Sequence, residues 1–278
     1  MNDEFQLLPG HPVQAAPLAM SSPTPIIQMT HVRLAFGENI ILEDLTLTLA
    51  PRERLVIMGQ SGCGKSTTLR VILGILRPST GSVKFKGAEV TQMSEPKLDL
   101  MRQRIGMVYQ YSALISSLSV RDNLALPLQE LTAKSEKEID AIVTEKLTLV
   151  GMEDTLGYMP SELSGGMQKR IALARALVLN PEVILFDEPC AGLDPVVSTV
   201  VDELIVALTE KTKATSIIVT HEMGSAFRVA TRMAMLYKGT IIEEGLPERF
   251  RNSRNPIVAQ FVEGRTDGPI ATQFEPLR

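Results

Sequence analysis

Eight residues, Gly59-Gln60-Ser61-Gly62-Cys63-Gly64-Lys65-Ser66, constrain this chain more than any other feature. They fit the pattern G-x-x-x-x-G-K-[ST] and lie between the apolar run Leu55-Val56-Ile57-Met58 and a segment with Leu69, Ile72, Leu73 and Leu76 at helical spacing. A strand that turns abruptly through glycines into a helix leaves a row of backbone N–H groups without partners. With the positive end of the helix, those donors make a cradle for phosphate. Gly59 to Thr67 are therefore expected to hold the phosphates of a nucleotide. Lys65 supplies a point charge to the β- and γ-phosphates, and the Ser66 hydroxyl is available to Mg²⁺. At Cys63 the loop asks only for a small side chain.

The rest of the chain supplies a matching architecture. Short β-rich runs begin at Ile26, and Pro78 with Gly81 closes the helix after the loop. Later, the strand Val183 to Phe186, a helix with Val197, Val200, Val201, Leu204 and Leu208 on one face, and the strand Ser216 to Thr220 alternate. Strands alternating with helices predict a parallel sheet covered on both faces. Between Tyr111 and Ser164 there is no long β run, but Ile139, Ile142, Val143, Leu147 and Val150 form a helical stripe, which reads as a helical insertion. Arg232 to Gly245 read as a hairpin turning at Lys238-Gly239. Five prolines in the first 25 residues predict a flexible arm, and weak periodicity with further prolines predicts a tail over 251–278.

Composition excludes several classes. In 278 residues, 44% hydrophobic and 22% charged, no run approaches the roughly 18 apolar residues of a membrane span. The acidic, polar start is unlike a secretory signal. A net charge of −4 removes the global attraction on which nonspecific nucleic-acid binders rely, so no nucleic-acid partner is expected. Two cysteines fit a reducing compartment.

Two further motifs carry chemistry. Val183 to Phe186 ends in Asp187-Glu188, and beside a phosphate loop such a strand end completes a Mg²⁺ site: Asp187 for the metal, Glu188 for the attacking water. Leu163-Ser164-Gly165-Gly166-Met167 opens a helix and offers a second anion site. One nucleotide does not need two such sites on one chain. They make sense if two chains meet head to tail, each γ-phosphate held by the Lys65 loop of one and the Ser164 turn of the other.

With these motifs the sequence resembles the ATP-binding cassette (ABC) ATPases, whose signature is LSGGQ; Met167 stands where Gln is usual. The resemblance implies an α/β P-loop NTPase over 26–250, with a RecA-like parallel-sheet core, an N-terminal antiparallel β subdomain and a helical subdomain inserted at about 111–165. It implies ATP and Mg²⁺ as cofactors. It further implies that Gln110 senses Mg²⁺ and the attacking water and hands motion to the helical insertion, that His221 contacts the γ-phosphate, and that Asp194, in Ala191-Gly192-Leu193-Asp194, reads the partner's site. Asp194 before Pro195 is also an ordinary helix N-cap. Phe36 sits where the family stacks a ring on adenine, although a core Phe on a strand fits the same pattern.

The segments Tyr111 to Leu128, Pro160 to Met167 and Gln260 to Gly264 are similar to the ATPase subunit of Mla-type lipid transporters, built around MCE-domain proteins. That similarity implies a homodimer beneath two copies of a permease, on the cytoplasmic face of a bacterial inner membrane and joined to a periplasmic MCE protein. The ATPase of an importer for another solute would share every motif. Chromosome-maintenance ATPases of the SMC type split the cassette with a long coiled coil, whereas only 52 residues separate Gln110 from Leu163.

Overall fold

In a computed structural model, the described residues are 24–270. The expected N-terminal arm lies outside them up to residue 23, as do the last eight residues of the expected tail. The chain begins with two long paired strands, β1 (Ile27–Phe36) and β2 (Asn39–Leu49), followed by β3 (Arg54–Met58), which runs into the glycine loop and α1 (Lys65–Ile72). After α1 come β4 (Thr80–Phe85), β5 (Ala88–Glu89), α2 (Glu95–Arg102) and β6 (Ile105–Val108). Three helices then form a separate block, α3 (Val120–Leu131), α4 (Glu136–Leu149) and α5 (Gly165–Ala176). The remainder is β7 (Val183–Asp187), α6 (Pro195–Thr212), β8 (Thr215–Thr220), α7 (Met223–Val229), β9 (Arg232–Tyr237), β10 (Thr240–Gly245), α8 (Pro247–Arg251) and α9 (Pro256–Glu263).

The strand order is β5-β4-β1-β2-β10-β9-β3-β8-β7-β6. On one side β1, β2, β4 and β5 pair antiparallel; on the other, β9, β3, β8, β7 and β6 run parallel. The halves meet where β10 pairs with β2 at Thr240 and Asp44. The turn before it adopts left-handed geometry at Lys238 (φ 47°) and Gly239 (φ 76°), the conformation a two-residue hairpin needs.

β3 shows how the sequence builds the core. Its side chains alternate, so Leu55 and Ile57 enter one apolar cluster and Val56 and Met58 the other. The first cluster packs α1 and α2 against the parallel strands and the antiparallel strands together. The second covers the opposite face with α3 to α7, and the predicted stripe contributes Ile139, Val143 and Leu147 to it.

Two expectations are corrected. The buried face of α6 is Ser198, Val201, Asp202, Ile205, Leu208 and Thr209, whereas Val200 is exposed and Val197 only half-buried. The helix is turned this way because Asp202, fully buried, accepts hydrogen bonds from Ser225 (2.5 Å) and Arg228 of α7. The stretch after 250 is also more than a tail. It contains α9, whose Val258 is buried in the second cluster, and Gln260 is buried while bonding the Ile270 backbone.

Candidate nucleotide site

The site lies at the carboxyl ends of β3, β7 and β8, where parallel sheets collect their functional groups. Gly59 follows β3 directly, and a Cβ there would stand 2.3 Å from the Leu236 carbonyl oxygen of β9. Gly64, the N-cap of α1, has φ 108°, and a Cβ would lie 2.9 Å from Leu42. Close approach at the first and left-handed backbone at the second explain why the loop needs glycine at both.

Ser61, Gly62, Gly64, Lys65, Ser66, Thr67, Gln110, Glu188 and His221 line one cleft of about 250 Å³, together with Ile41. Within it Lys65 is buried, and its Nζ donates to the carbonyls of Gly59 (2.8 Å) and Gln60 (3.0 Å) while lying 3.7 Å from Glu188 Oε1. Ser66 Oγ donates to Asp187 Oδ1 at 2.7 Å. Glu188 is buried and adopts a left-handed φ of 49°, uncommon for a residue with a Cβ, and its N–H donates to Val219 O. That backbone turn aims the carboxylate at the cleft. His221 then holds it twice, by its backbone N–H to Oε2 at 3.3 Å and by Nδ1 to Oε1 at 2.9 Å.

Gln60 and Cys63 face a different cleft of about 330 Å³ shared with Ser61, Gly62, Tyr237, Lys238 and Pro269. Phe36 ends β1 and is 55% exposed, so it is not a core residue; it does not line the Lys65 cleft.

Ser164, Gly165, Gly166 and Met167 line a separate cleft of about 410 Å³ with Gly192, Leu193 and Asp194. It shares no residue with the Lys65 cleft. Ser164 caps α5, its Oγ accepting from Met167 N–H at 3.3 Å, and Asp194 caps α6 by accepting from Val196 and Val197 at 3.0 Å each. The Met167 side chain is half-buried and packs against the second core cluster.

Sequence reasoning missed Ile41, Lys169 and Arg175. Ile41 gives no signal in the sequence. Lys169 is buried on α5 and donates to the Gln110 carbonyl, while Arg175 donates to the carbonyls of Ser112 (2.9 Å) and Ala113 (2.7 Å). Burial lowers the pKa of both cations, partly offset at Lys169 by Cys190, Glu188 and Glu222. A lysine among Ile171, Ala172 and Leu173 on an inward-facing helix was the available clue.

The model of the family described as ABC transporter matches residues 42–191, from β2 to just beyond Glu188. This chain belongs to the ABC transporter ATPase family. ABC cassettes bind and hydrolyse ATP, and so does this one. The chain is 42% identical over 249 residues to a probable ribonucleotide transport ATP-binding protein of Mycobacterium tuberculosis, covering 90% of this chain and 69% of that protein. It is 37% identical to an intermembrane phospholipid transport system ATP-binding protein of Haemophilus influenzae, covering 90% of this chain and 94% of that one. Among solved structures, a dimeric ATP-binding cassette in a post-hydrolysis state with ADP and inorganic phosphate superposes with a TM-score of 0.72 at 31% identity, over 80% of this chain and 98% of the other. ABC cassettes operate as dimers with membrane permeases. Among the described residues of this ABC ATPase, no helix is long and apolar enough to cross a membrane.

Proposed function

We propose that this chain is the ATPase subunit of a transporter that moves phospholipid between two membranes. It works as a homodimer on the cytoplasmic face of an inner membrane, beneath an integral-membrane permease joined to a periplasmic MCE-domain protein. The observation that carries the ATPase half is the convergence of Lys65, Ser66, Gln110, Glu188 and His221 on one cleft, with Asp187 bonded to Ser66. The lipid half is supported by the 37% identity to the Haemophilus phospholipid-transport protein, nearly all of whose length is spanned.

In this reading residues 26–250 form the working ATPase unit, with 111–165 inserted into it. ATP lies with its phosphates on Gly59 to Thr67, and Ser164 to Gly166 with Asp194 of the second chain close over the γ-phosphate. The exposure of Phe36 supports its reading as the ring that meets the adenine. Ser66, Asp187 and Gln110 offer the hard oxygen donors that Mg²⁺ prefers, and the 2.7 Å Ser66–Asp187 contact brings two of them together. Bound there, Mg²⁺ neutralises charge that builds on the phosphate oxygens. Glu188 polarises the attacking water, and His221 keeps its carboxylate aimed while reaching the γ-phosphate. A shallow groove of about 290 Å³ includes Tyr109, Ile115, Leu126 and Pro127, and Tyr111 nearby is 85% exposed. Through this part of 111–128 the dimer's closure passes to the permease.

The test is to copurify the chain with its permease and analyse the complex for bound lipid. An MCE-domain partner, phospholipid in the complex and lipid-stimulated ATP hydrolysis are the expected result. A second reading, transport of another solute, is favoured by the name of the mycobacterial relative. A polar-solute binding protein in place of the MCE protein would establish that reading and overturn the first.

A further inference from the structure

Gln110 reaches the phosphate cleft from a short segment whose backbone is held in an unusual way. Ser112 and Ala113 have φ of 61° and 50°, left-handed conformations that cost energy for residues with a Cβ and persist only when their surroundings enforce them. Local bonding is sparse: Ser112 N–H donates to Tyr109 O and Ala113 N–H to Tyr111 O. The carbonyls point away, to α5. There the buried Lys169 takes the Gln110 carbonyl, and Arg175, further along the same helix, takes those of Ser112 and Ala113. Two cations from one helix thus bind three carbonyls within four residues.

The same helix begins at Ser164, which caps it beside Gly165 and Gly166. One rigid element therefore carries the turn proposed to meet the partner's nucleotide at its start and the anchors of this chain's own Gln110 along its length. Hydrogen bonds from a charged donor to a carbonyl are stronger than neutral ones, and at the buried Ser112 a carbonyl left without its donor is costly. Removing the anchors takes away the charged donors that hold the left-handed turn.

We propose that Lys169 and Arg175 clasp the 110–113 segment to α5, and that this clasp is what ties Gln110 to the helical insertion. Lys169 is the positioning residue of this device: it lines neither the Lys65 cleft nor the Ser164 cleft and acts on hydrolysis through the Gln110 backbone. The inference rests on the proposed role of Gln110 at the ATP site. It assigns Lys169 to turnover, not to nucleotide affinity, because Lys65 and the glycine loop that bind phosphate are independent of α5.

The experiment uses the full chain in complex with its permease and compares Lys169→Met, which keeps the length but loses the donor, with Lys169→Arg, which keeps it. Lys169→Met is expected to lower kcat for ATP at least tenfold with KM and fluorescent-ATP affinity within about twofold, and Lys169→Arg to restore most of kcat. Hydrogen exchange at the amides of 110–113 is expected to accelerate in Lys169→Met while β7 stays protected. Unchanged kcat in Lys169→Met, an affinity loss as large as the kcat loss, or equal impairment by Lys169→Arg would overturn the proposal. If Lys169→Met does not fold, Arg175→Lys, which can hold one carbonyl but not two, is read by the same exchange measurement; unaltered exchange at 112 and 113 would overturn the clasp. Gln110→Ala separates the two ideas. Normal turnover there removes the role of Gln110, whereas the exchange result stands or falls with the clasp alone.

Discussion

At the scale of single residues, the tasks proposed for Lys65 and Glu188 are opposite although the two lie 3.7 Å apart. Lys65 is held by two carbonyls of its own loop, which fixes its ammonium in the cleft where phosphate is proposed to sit. Lys65→Ala is expected to reduce ATP affinity at least tenfold by calorimetry, and an unchanged affinity would remove its phosphate role. Glu188→Gln keeps the shape of the side chain and its contact with His221 but not its capacity to accept a proton. We expect ATP affinity within about twofold of the parent and a turnover lowered by roughly 10²- to 10⁴-fold, the contribution typical of a general base. Retained hydrolysis in the transporter complex would reassign the base. The thiols give a pH-dependent check. Burial, with the Asp202 carboxylate 3.2 Å away, pushes Cys190 up to about 12, and burial also raises Cys63. A raised thiol pKa means less thiolate in the folded protein than in the unfolded chain. Stability from this source is intact below the ordinary thiol pKa and declines as pH rises from about 9 toward 12. Both thiols of the native protein are expected to react with a disulfide reagent at pH 8 at least tenfold more slowly than after denaturation; a fast native reaction at Cys190 would contradict its buried bonding to Asp202.

At the scale of elements, the buried pair between α6 and α7 shows what hydrophobic pattern alone misses. Val197 and Val200 suggest one face, but Asp202 with Ser225 and Arg228 turns the helix and leaves Val200 37% exposed. A buried carboxylate reads as a solvent residue until its partner, 26 positions later, is known. The energetics are asymmetric. Asp202→Ala leaves Arg228, which is 40% exposed, free to meet water, whereas Arg228→Ala leaves a fully buried carboxylate without its counter-charge. Arg228→Ala is therefore expected to be the more destabilising, by about 3–5 kcal/mol in urea unfolding, and the opposite order would show that Ser225 and Cys190 suffice to hold Asp202. By contrast β3, the glycine loop and the start of α1 were legible, because strand alternation, glycine geometry and helical spacing are all local, although α1 ends at Ile72 before a left-handed Gly74 (φ 65°), short of the expected Leu76 and the stop at Pro78 and Gly81. The hairpin at Lys238-Gly239 was legible for the same reason. The clasp by Lys169 and Arg175 was not, because its acceptors are backbone carbonyls, which any sequence possesses.

At the scale of the whole molecule, the two turns proposed to bind phosphate line clefts that share no residue. Sequence exposed both turns but not their separation, which depends on how the helices of 120–176 pack on the sheet. If each nucleotide lies between two chains related by a two-fold axis, every site combines Lys65 of one with Ser164 of the other. Mixing then distinguishes a shared site from two independent ones. Homodimers of Lys65→Ala have two faulty phosphate loops, and homodimers of Ser164→Arg have two faulty turns. A heterodimer concentrates both faults in one site and leaves the other whole: Lys65 of the Ser164→Arg chain faces Ser164 of the Lys65→Ala chain. With random pairing, half the dimers are mixed and each keeps one site, so about a quarter of the parent's sites return. The measurement is fluorescent ATP retained on a dimer in gel filtration with Mg²⁺, using the Glu188→Gln background to prevent turnover. Each variant alone is expected to retain almost none, and the mixture about a quarter of the parent's amount. If both functions belonged to one chain, every chain in the mixture would carry a fault, and mixing would restore nothing.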